Sequence, residues 1–252
     1  MITRGAVDAI SYAWILVAVI ICIVLLKVPA PYGRHVRKGW GPFLHARTVW
    51  IVMELPAPVV MLLCYVFFLR EVTGKVGWLF LLLWEIHYVY RTFIYPLRLG
   101  GNSRHMALSI VVISFIFNVI NGLLNGYYIF YLNASWYSPA WLFSFPFLFG
   151  FALFWIGFLV NIGSDEILRQ IKMSSGTYGV PKGFLYRYVS CPNYLGEIVE
   201  WIGWAILTWS VGGFAFAVWT AANLCSATIT FPLERQLEFP VSGAGGGSPS
   251  DN

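Results

Sequence analysis

Residues 10–26 read ISYAWILVAVIICIVLL, seventeen positions without a charge, and Lys27-Val28-Pro29 closes the run. A helix needs roughly 20 predominantly apolar residues to cross the hydrocarbon core of a bilayer. The run is long for the apolar part of a cleaved leader and carries no Ala-x-Ala site, so it reads as a first membrane span. Working outward, the segments at about 49–69, 76–96, 106–131, 141–162, 195–211 and 213–231 repeat the pattern. Only Val211-Gly212-Gly213 separates the last two, which predicts a tight turn closing an antiparallel hairpin. The expected fold is therefore an all-α integral membrane protein, a bundle of seven transmembrane helices forming a single domain over residues 1–240. The Gly/Ser-rich residues 241–252 are expected to be a disordered tail.

Composition agrees. Of the 252 residues 59% are hydrophobic and 11% are charged, against roughly 25% charged in a soluble domain, and mean hydropathy is +0.72. So few charges cannot coat a water-soluble globule of this size. The 12 Trp and 14 Tyr suit a protein with two membrane interfaces to line. A net charge of +5 is not gathered on one amphipathic helix or tail, so no nucleic-acid partner is expected. The four Cys, at 22, 64, 191 and 225, have neither disulfide-framework nor metal-ligand spacing, so no metal is expected. The chain is expected to be a monomer.

If the spans alternate, one side carries Arg4, Arg70 and Lys75, a count of 3. The other carries Lys27, Arg34, Arg37, Lys38, Arg47, Arg91, Arg98, Arg104, Arg169, Lys172, Lys182, Arg187 and Arg235, a count of 13. Positive charge stays on the cytoplasmic side, which predicts an external N-terminus, a cytoplasmic C-terminus and an odd number of spans. The host membrane would be a bacterial inner membrane, or the endoplasmic reticulum in a eukaryote.

Ionisable groups at membrane depth are expensive and mark functional sites facing the bundle interior. The second span contains Glu54 within Met53-Glu54-Leu55-Pro56-Ala57-Pro58, and the third contains Glu85, His87, Tyr88 and Arg91. The two prolines interrupt helical hydrogen bonding beside Glu54 and open the bundle locally. A protonated Glu or a Tyr hydroxyl there could donate to a ligand carbonyl; alternatively, Glu54 pairs with Arg91 or His87 and simply ties two helices. His87 and Glu85 read as structural. In the fourth span Asn118, Asn121 and Asn125 recur at helical spacing, as glue between helices or as a pocket wall.

Toward the cytoplasm, Asn161, Asp165, Arg169 and Lys172 fall along one stripe of a helix running out of the fifth span. Asn193, Glu197 and Glu200 recur at i, i+4 and i+7 where the sixth begins. Together they offer amide and hydroxyl partners beside cations for phosphate, which suits a polar cofactor; the alternative is a satisfied intramolecular ion network. Neither GxGxxG after a strand nor GxxxxGK[ST] occurs, so any nucleotide is held by helices and loops.

These motifs resemble the steroid 5α-reductase family. The resemblance rests on residues 160–169, VNIGSDEILR, on Tyr178-Gly179-Val180-Pro181-Lys182-Gly183, and on residues 188–205, YVSCPNYLGEIVEWIGWA. It also rests on Glu54-Leu55-Pro56 and on residues 87–96, HYVYRTFIYP, and it covers most of the chain in the family's order. It implies a seven-helix bundle that binds NADPH from the cytoplasm and a steroid, or similar lipophilic enone, from the membrane lipid. It implies that Glu54 and Tyr88 hydrogen-bond the substrate's 3-keto oxygen. Asn161, Asp165, Arg169, Tyr178, Asn193 and Glu197 take the positions that bind cofactor, with Lys172, Arg91 and Arg104 as cations on the same side. The last stretch departs from the family: relatives continue with a basic, His-containing segment and an aromatic end that helps cover the nucleotide, where this chain has Cys225 to Phe231 and only Arg235.

The implied reaction is NADPH-dependent reduction of the C4–C5 double bond of 3-keto-Δ4 steroids, with hydride to C5. Alternatives are a sister reductase of enoyl-CoA or polyprenol-type lipids, an isoprenylcysteine-type membrane methyltransferase, or a sterol-binding protein without catalysis.

Overall fold

The structure, a computed structural model, describes residues 2–27, 41–72, 76–98, 105–175, 181 and 183–238. Arg104, Tyr178 and the 241–252 tail lie outside the described residues, as does the side chain of Lys172. The described chain is almost wholly helical. In order come α1 (Arg4–Lys27), β1 (Phe43–His45), α2 (Ala46–Glu54), α3 (Pro56–Phe67), α4 (Leu69–Val72), α5 (Gly77–Val89), α6 (Tyr95–Arg98), β2 (His105–Ala107), α7 (Leu108–Tyr127), α8 (Phe145–Ser175), α9 (Pro192–Thr208) and α10 (Val211–Glu238). Four tracts are long and apolar enough to cross a membrane: Arg4–Lys27, Arg47–Phe67, Leu108–Leu132 and Phe145–Ile171. Their outward faces are apolar, with Leu16, Leu63, Ile113 and Leu159 about as exposed as surface residues become. Bare apolar surface on this scale belongs in lipid rather than water.

Three interruptions follow from local sequence. Pro56 and Pro58 lack the N–H that would continue the α2 ladder, yet Leu55 keeps helical angles (φ −54°, ψ −34°), so α3 carries on where α2 stops. A π turn over Tyr90–Ile94 joins α5 to α6, and a second over Tyr128–Leu132 ends α7. The expected Gly-Gly turn of the last hairpin is displaced. The chain reverses at Trp209 and Ser210, with Trp209 in the left-handed region at φ 45°, and both glycines lie inside α10. They are used for proximity instead: a Cβ on Gly212 would stand 2.7 Å from the Tyr128 ring, and one on Gly213 2.5 Å from Thr208 Oγ1.

The core is aromatic. Trp84, Trp201, Trp204, Phe80, Phe154 and Tyr137 are fully buried within one cluster that draws on α5, α8, α9 and the 133–144 connection. The most extensive helix pair is α8 with α9; α1 packs on α10, α10 on α9, and α3 on α7. Hydrogen bonds define the two ends of the bundle. At one, Arg4 donates to the Leu132 carbonyl (2.6 Å) and Asn133 Oδ1 (2.8 Å), and Tyr137 donates to the Thr208 carbonyl (2.6 Å). At the other, β1 and β2 pair antiparallel, Leu44 opposite Met106, and Arg98 reaches Glu166 at 2.5 Å.

Candidate active site

Glu54 ends α2 at the proline interruption and is half-buried. Its carboxylate accepts from Asn118 Nδ2 of α7 at 3.4 Å, and the same amide donates to the Met53 carbonyl at 2.7 Å. The pairing with Arg91 or His87 that sequence left open is not the bond formed. His87 turns to Glu200 (Nδ1 to Oε1, 2.8 Å) and Arg91 to Glu197 (Nη2 to Oε2, 3.4 Å), both on α9. Arg91, Glu197 and His87 are nevertheless among the ionisable neighbours of Glu54.

Tyr88 is 3% exposed, packed against Trp84, His87 and Trp201 with ring centroids 4.9, 5.0 and 5.9 Å away. Glu54 and Glu197 are among its ionisable neighbours. Among the described residues its hydroxyl donates no hydrogen bond. That oxygen is not among the fully buried polar atoms left without a partner, so this donor stands open to a ligand.

The polar chain continues toward the end that holds β1 and β2. The Arg91 guanidinium lies 5.1 Å from the Trp50 ring and 5.3 Å from the Tyr95 ring, and Trp50 Nε1 donates to the Arg91 carbonyl at 3.1 Å. Held between two rings, it faces Glu197, which also accepts from Asn161 at 3.5 Å. Asn161 donates to the Asn193 carbonyl at 2.9 Å, and Asn193 Nδ2 donates to Asp165 at 3.0 Å. Asn161, Asp165, Asn193, Glu197 and Arg91, five of the residues selected from sequence, thus form one hydrogen-bonded cluster between α8, α9 and the π turn.

Arg169 does not join it. Its guanidinium grips Glu166 at 2.6 and 2.8 Å, on the same carboxylate that Arg98 holds. Helical spacing permits i,i+3 pairing as readily as the i,i+4 stripe, and here the former is made. Glu200, grouped by spacing with Asn193 and Glu197, points away from them to His87. Tyr186, on the connection between α8 and α9, donates to the Ser164 carbonyl at 3.0 Å; burial, and then the charge of Asp165, push its phenol above the ordinary range.

The Asn118–Asn121–Asn125 stripe is glue, and Asn118 also holds Glu54. Trp14 of α1 donates to Asn121 (3.3 Å), and Trp204 of α9 donates to Asn125 (2.8 Å). Sequence reasoning missed Trp50 as a partner of Arg91. The signal was its place four residues before Glu54, on the same helical face. Among the described residues no group of three His, Cys, Asp or Glu stands where it could hold a metal ion. A cavity of about 330 Å³ lined by Arg4, Tyr128, Asn133, Trp136 and Trp209 opens at the opposite end, and none of the candidate site residues line it.

Asn161, Asn193, Asp165 and Glu197 could meet amide and hydroxyl groups of a polar ligand, and Arg91 is the cation beside them, whereas Arg98 and Arg169 are both engaged with Glu166.

Known proteins resemble this sequence. The family model of 3-oxo-5-alpha-steroid 4-dehydrogenase matches residues 104–236. The chain is 39% identical to the steroid 5-alpha-reductase DET2 of Gossypium hirsutum over 217 residues, covering 80% of this chain and 79% of that one. It is 41% identical to the 3-oxo-5-alpha-steroid 4-dehydrogenase 2 of Rattus norvegicus over 205 residues, covering 80% and 79%. With the 3-oxo-5-alpha-steroid 4-dehydrogenase 1 of Bos taurus it shares 37% identity over 222 residues, covering 86% and 85%.

Proposed function

The chain belongs to the 3-oxo-5-alpha-steroid 4-dehydrogenase family, and from that premise we propose that it reduces the C4–C5 double bond of 3-keto-Δ4 steroids with NADPH, Tyr88 and Glu54 facing the 3-keto oxygen. Membership makes it a membrane oxidoreductase of steroid metabolism, and the names of its relatives weigh against the methyltransferase and binding-protein alternatives. NADPH, the cofactor the proposal requires, supplies the hydride. Asn161, Asp165, Asn193, Glu197 and Arg91 would hold it, with Arg169, Arg104, Lys172 and Tyr178 completing the set.

The observation that carries the proposal is the place of Tyr88. A buried donor with its hydroxyl uncommitted stands on the helix whose next turn presents Arg91 to the Asn161–Asn193–Asp165–Glu197 cluster. Hydride arriving at C5 pushes negative charge through C4 and C3 onto the keto oxygen. A donor fixed beforehand in a water-poor site stabilises that enolate better than solvent does. Tyr88 supplies this donor, and Glu54, kept in place by Asn118, is the second group proposed to face the keto oxygen. The α-carbon C4 then takes a proton from solvent or a nearby acid to complete the reduction.

In the same reading, seven helical tracts cross the bilayer, with Arg4 outside and the Asp165–Asn193 cluster at the cytoplasmic face. A steroid partitions into lipid and a dinucleotide stays in water, so their meeting place has to lie near that boundary.

The test is NADPH oxidation by the purified protein in detergent with a panel of 3-keto-Δ4 steroids, reading the configuration at C5. Replacing Tyr88→Phe removes one oxyanion donor and is expected to lower kcat by about 100-fold with NADPH affinity unchanged. Near-normal turnover in that variant would remove Tyr88 from the mechanism.

A further inference from the structure

The pair formed by His87 and Glu200 has no part in the chemistry above. Its side chains are 4% and 0% exposed, 2.8 Å apart, in a cage made by Trp201 and Phe158. The second oxygen of Glu200 is buried without a hydrogen-bond partner among the described residues, and so is the indole N–H of its neighbour Trp201. A buried acid–base pair left half-satisfied adds little to stability; well-packed apolar residues in its place are often neutral or stabilising. Its presence therefore calls for a role other than holding the fold.

The geometry supplies one. Glu197 and Glu200 stand one turn apart on α9, and His87 and Arg91 one turn apart across the end of α5. They make two rungs, His87–Glu200 at 2.8 Å and Arg91–Glu197 at 3.4 Å, with Tyr88 between them. Two residues beyond Tyr88 the helix loosens into the π turn Tyr90–Ile94, a device frequent at functional sites. Since the Tyr88 hydroxyl has no protein partner of its own among the described residues, its place depends on the rotation of α5 and on its ring contacts. The His87–Glu200 rung fixes that rotation immediately before Tyr88, and the His87 ring, 4.6 Å from Trp201, sets the indole against which Tyr88 packs.

We propose that His87 and Glu200 are positioning residues for Tyr88, acting on the reaction only through the placement of its hydroxyl. The inference rests on the role given to Tyr88 above, and a double-mutant cycle separates the two. The full-length protein in detergent is assayed with NADPH and testosterone for kcat, KM and thermal midpoint. Glu200→Leu is expected to lower kcat roughly 10- to 100-fold, the range a misplaced reacting group produces, with KM and NADPH affinity within about twofold of wild type. Glu200→Gln, which can still accept from His87, recovers most of the rate. In the Tyr88→Phe background Glu200→Leu adds less than about a twofold loss, because a residue that works through Tyr88 has nothing left to position.

Equal fold-losses in both backgrounds would mean that Glu200 acts independently of Tyr88 and would overturn the inference. So would wild-type kcat in Glu200→Leu. If Tyr88→Phe itself turns over normally, the role of Tyr88 falls first and the inference with it. If Tyr88→Phe is impaired but the cycle is additive, the inference alone falls. Should Glu200→Leu not fold, His87→Gln runs the same cycle, since it removes the ring from Trp201 while keeping a donor of similar reach.

Discussion

Two seams hold the candidate site, and they are made in opposite ways. Between α8 and α9 the contact is backbone on backbone: a Cβ on Gly157 would stand 2.3 Å from the Glu200 amide nitrogen, and one on Gly203 2.4 Å from that of Phe154. Between α2–α3 and α7 side chains make the closer contacts, Asn118 reaching the Met53 carbonyl and Glu54, and a Cβ on Gly122 meeting the Val60 side chain at 3.0–3.1 Å before the Ala57 carbonyl at 3.5 Å. The first seam carries Asn161, Asp165, Asn193 and Glu197; the second carries Glu54. Asn161, Asp165, Asn193 and Glu197 are thus mounted on a joint with little freedom to adjust, whereas Glu54 sits on one that can shift by tenths of an ångström. In the proposed function this becomes a rigid dinucleotide seat beside a yielding wall, a sensible division when one ligand is always the same and the other enters from the membrane.

The largest effect that would break this contrast is expected at Gly157. In Gly157→Ala the new methyl meets backbone atoms of both Glu200 and Gly196, and neither can rotate away. Helix separation should cost about 3 kcal/mol or more, which for a chain of this size lowers the thermal midpoint by about 10 °C. Gly122→Ala sharpens the comparison, since Val60 can give where backbone cannot. A loss of about 1 kcal/mol, or about 3 °C, is expected. Scanning calorimetry or thermal scanning fluorescence in one detergent checks both, with Gly5→Ala, where nothing lies within 4 Å, as the neutral control. Equal shifts at 157 and 122 would mean that the two seams do not differ in rigidity.

An intermediate effect belongs to Asn125. Asn125→Leu leaves the Trp204 indole N–H, now bonded at 2.8 Å, without its acceptor in the core. Side-chain hydrogen bonds between membrane helices average about 0.6 kcal/mol and reach about 1.7. The midpoint should therefore fall by about 2–5 °C, with kcat for testosterone retained, because Asn125 bonds to Asn121, Gly212 and Trp204 and to none of the candidate site residues.

Much of this was legible in the sequence, for physical reasons that also mark where reading stopped. Apolar length located the helical tracts, although α8 runs on to Ser175, beyond the 162 expected, and α1 begins at Arg4 rather than at 10; the cost of burying Glu54, Tyr88 and Arg91 singled them out. The seam itself left a trace, because Gly150 and Gly157 on one helix and Gly196 and Gly203 on the other are both spaced by seven. Its meaning required knowing that those helices are partners. Spacing on one helix restricts which faces meet but does not choose among partners: His87 had Glu54 and Glu200 available and took Glu200. The turn at Trp209 was illegible because glycine is the expected residue at a left-handed position, whereas Gly212 and Gly213 were required for close packing against Tyr128 and Thr208.

The smallest structural effect, and the one most informative about the rim of the rigid seam, is expected at Arg169. Its bidentate hold on Glu166 is a half-exposed pair that shares the carboxylate with Arg98, so Arg169→Gln leaves Glu166 with a cationic partner. Exposed pairs of this kind contribute little to stability, and the thermal midpoint of the protein without cofactor should move by no more than about 1 °C. In the proposed function, however, Arg169 is a cation for NADPH, and losing one charge-assisted hydrogen bond weakens binding by about tenfold or more. Titration of NADPH into Arg169→Gln by quenching of tryptophan fluorescence, beside the same titration of Arg98→Gln, reads this directly. Weaker binding with an unchanged midpoint means that the guanidinium leaves Glu166 for phosphate, so that the ion pair is the resting position of a cofactor ligand. Unchanged binding in both variants would make Arg98–Glu166–Arg169 a closed surface network and move the phosphate site elsewhere along α8.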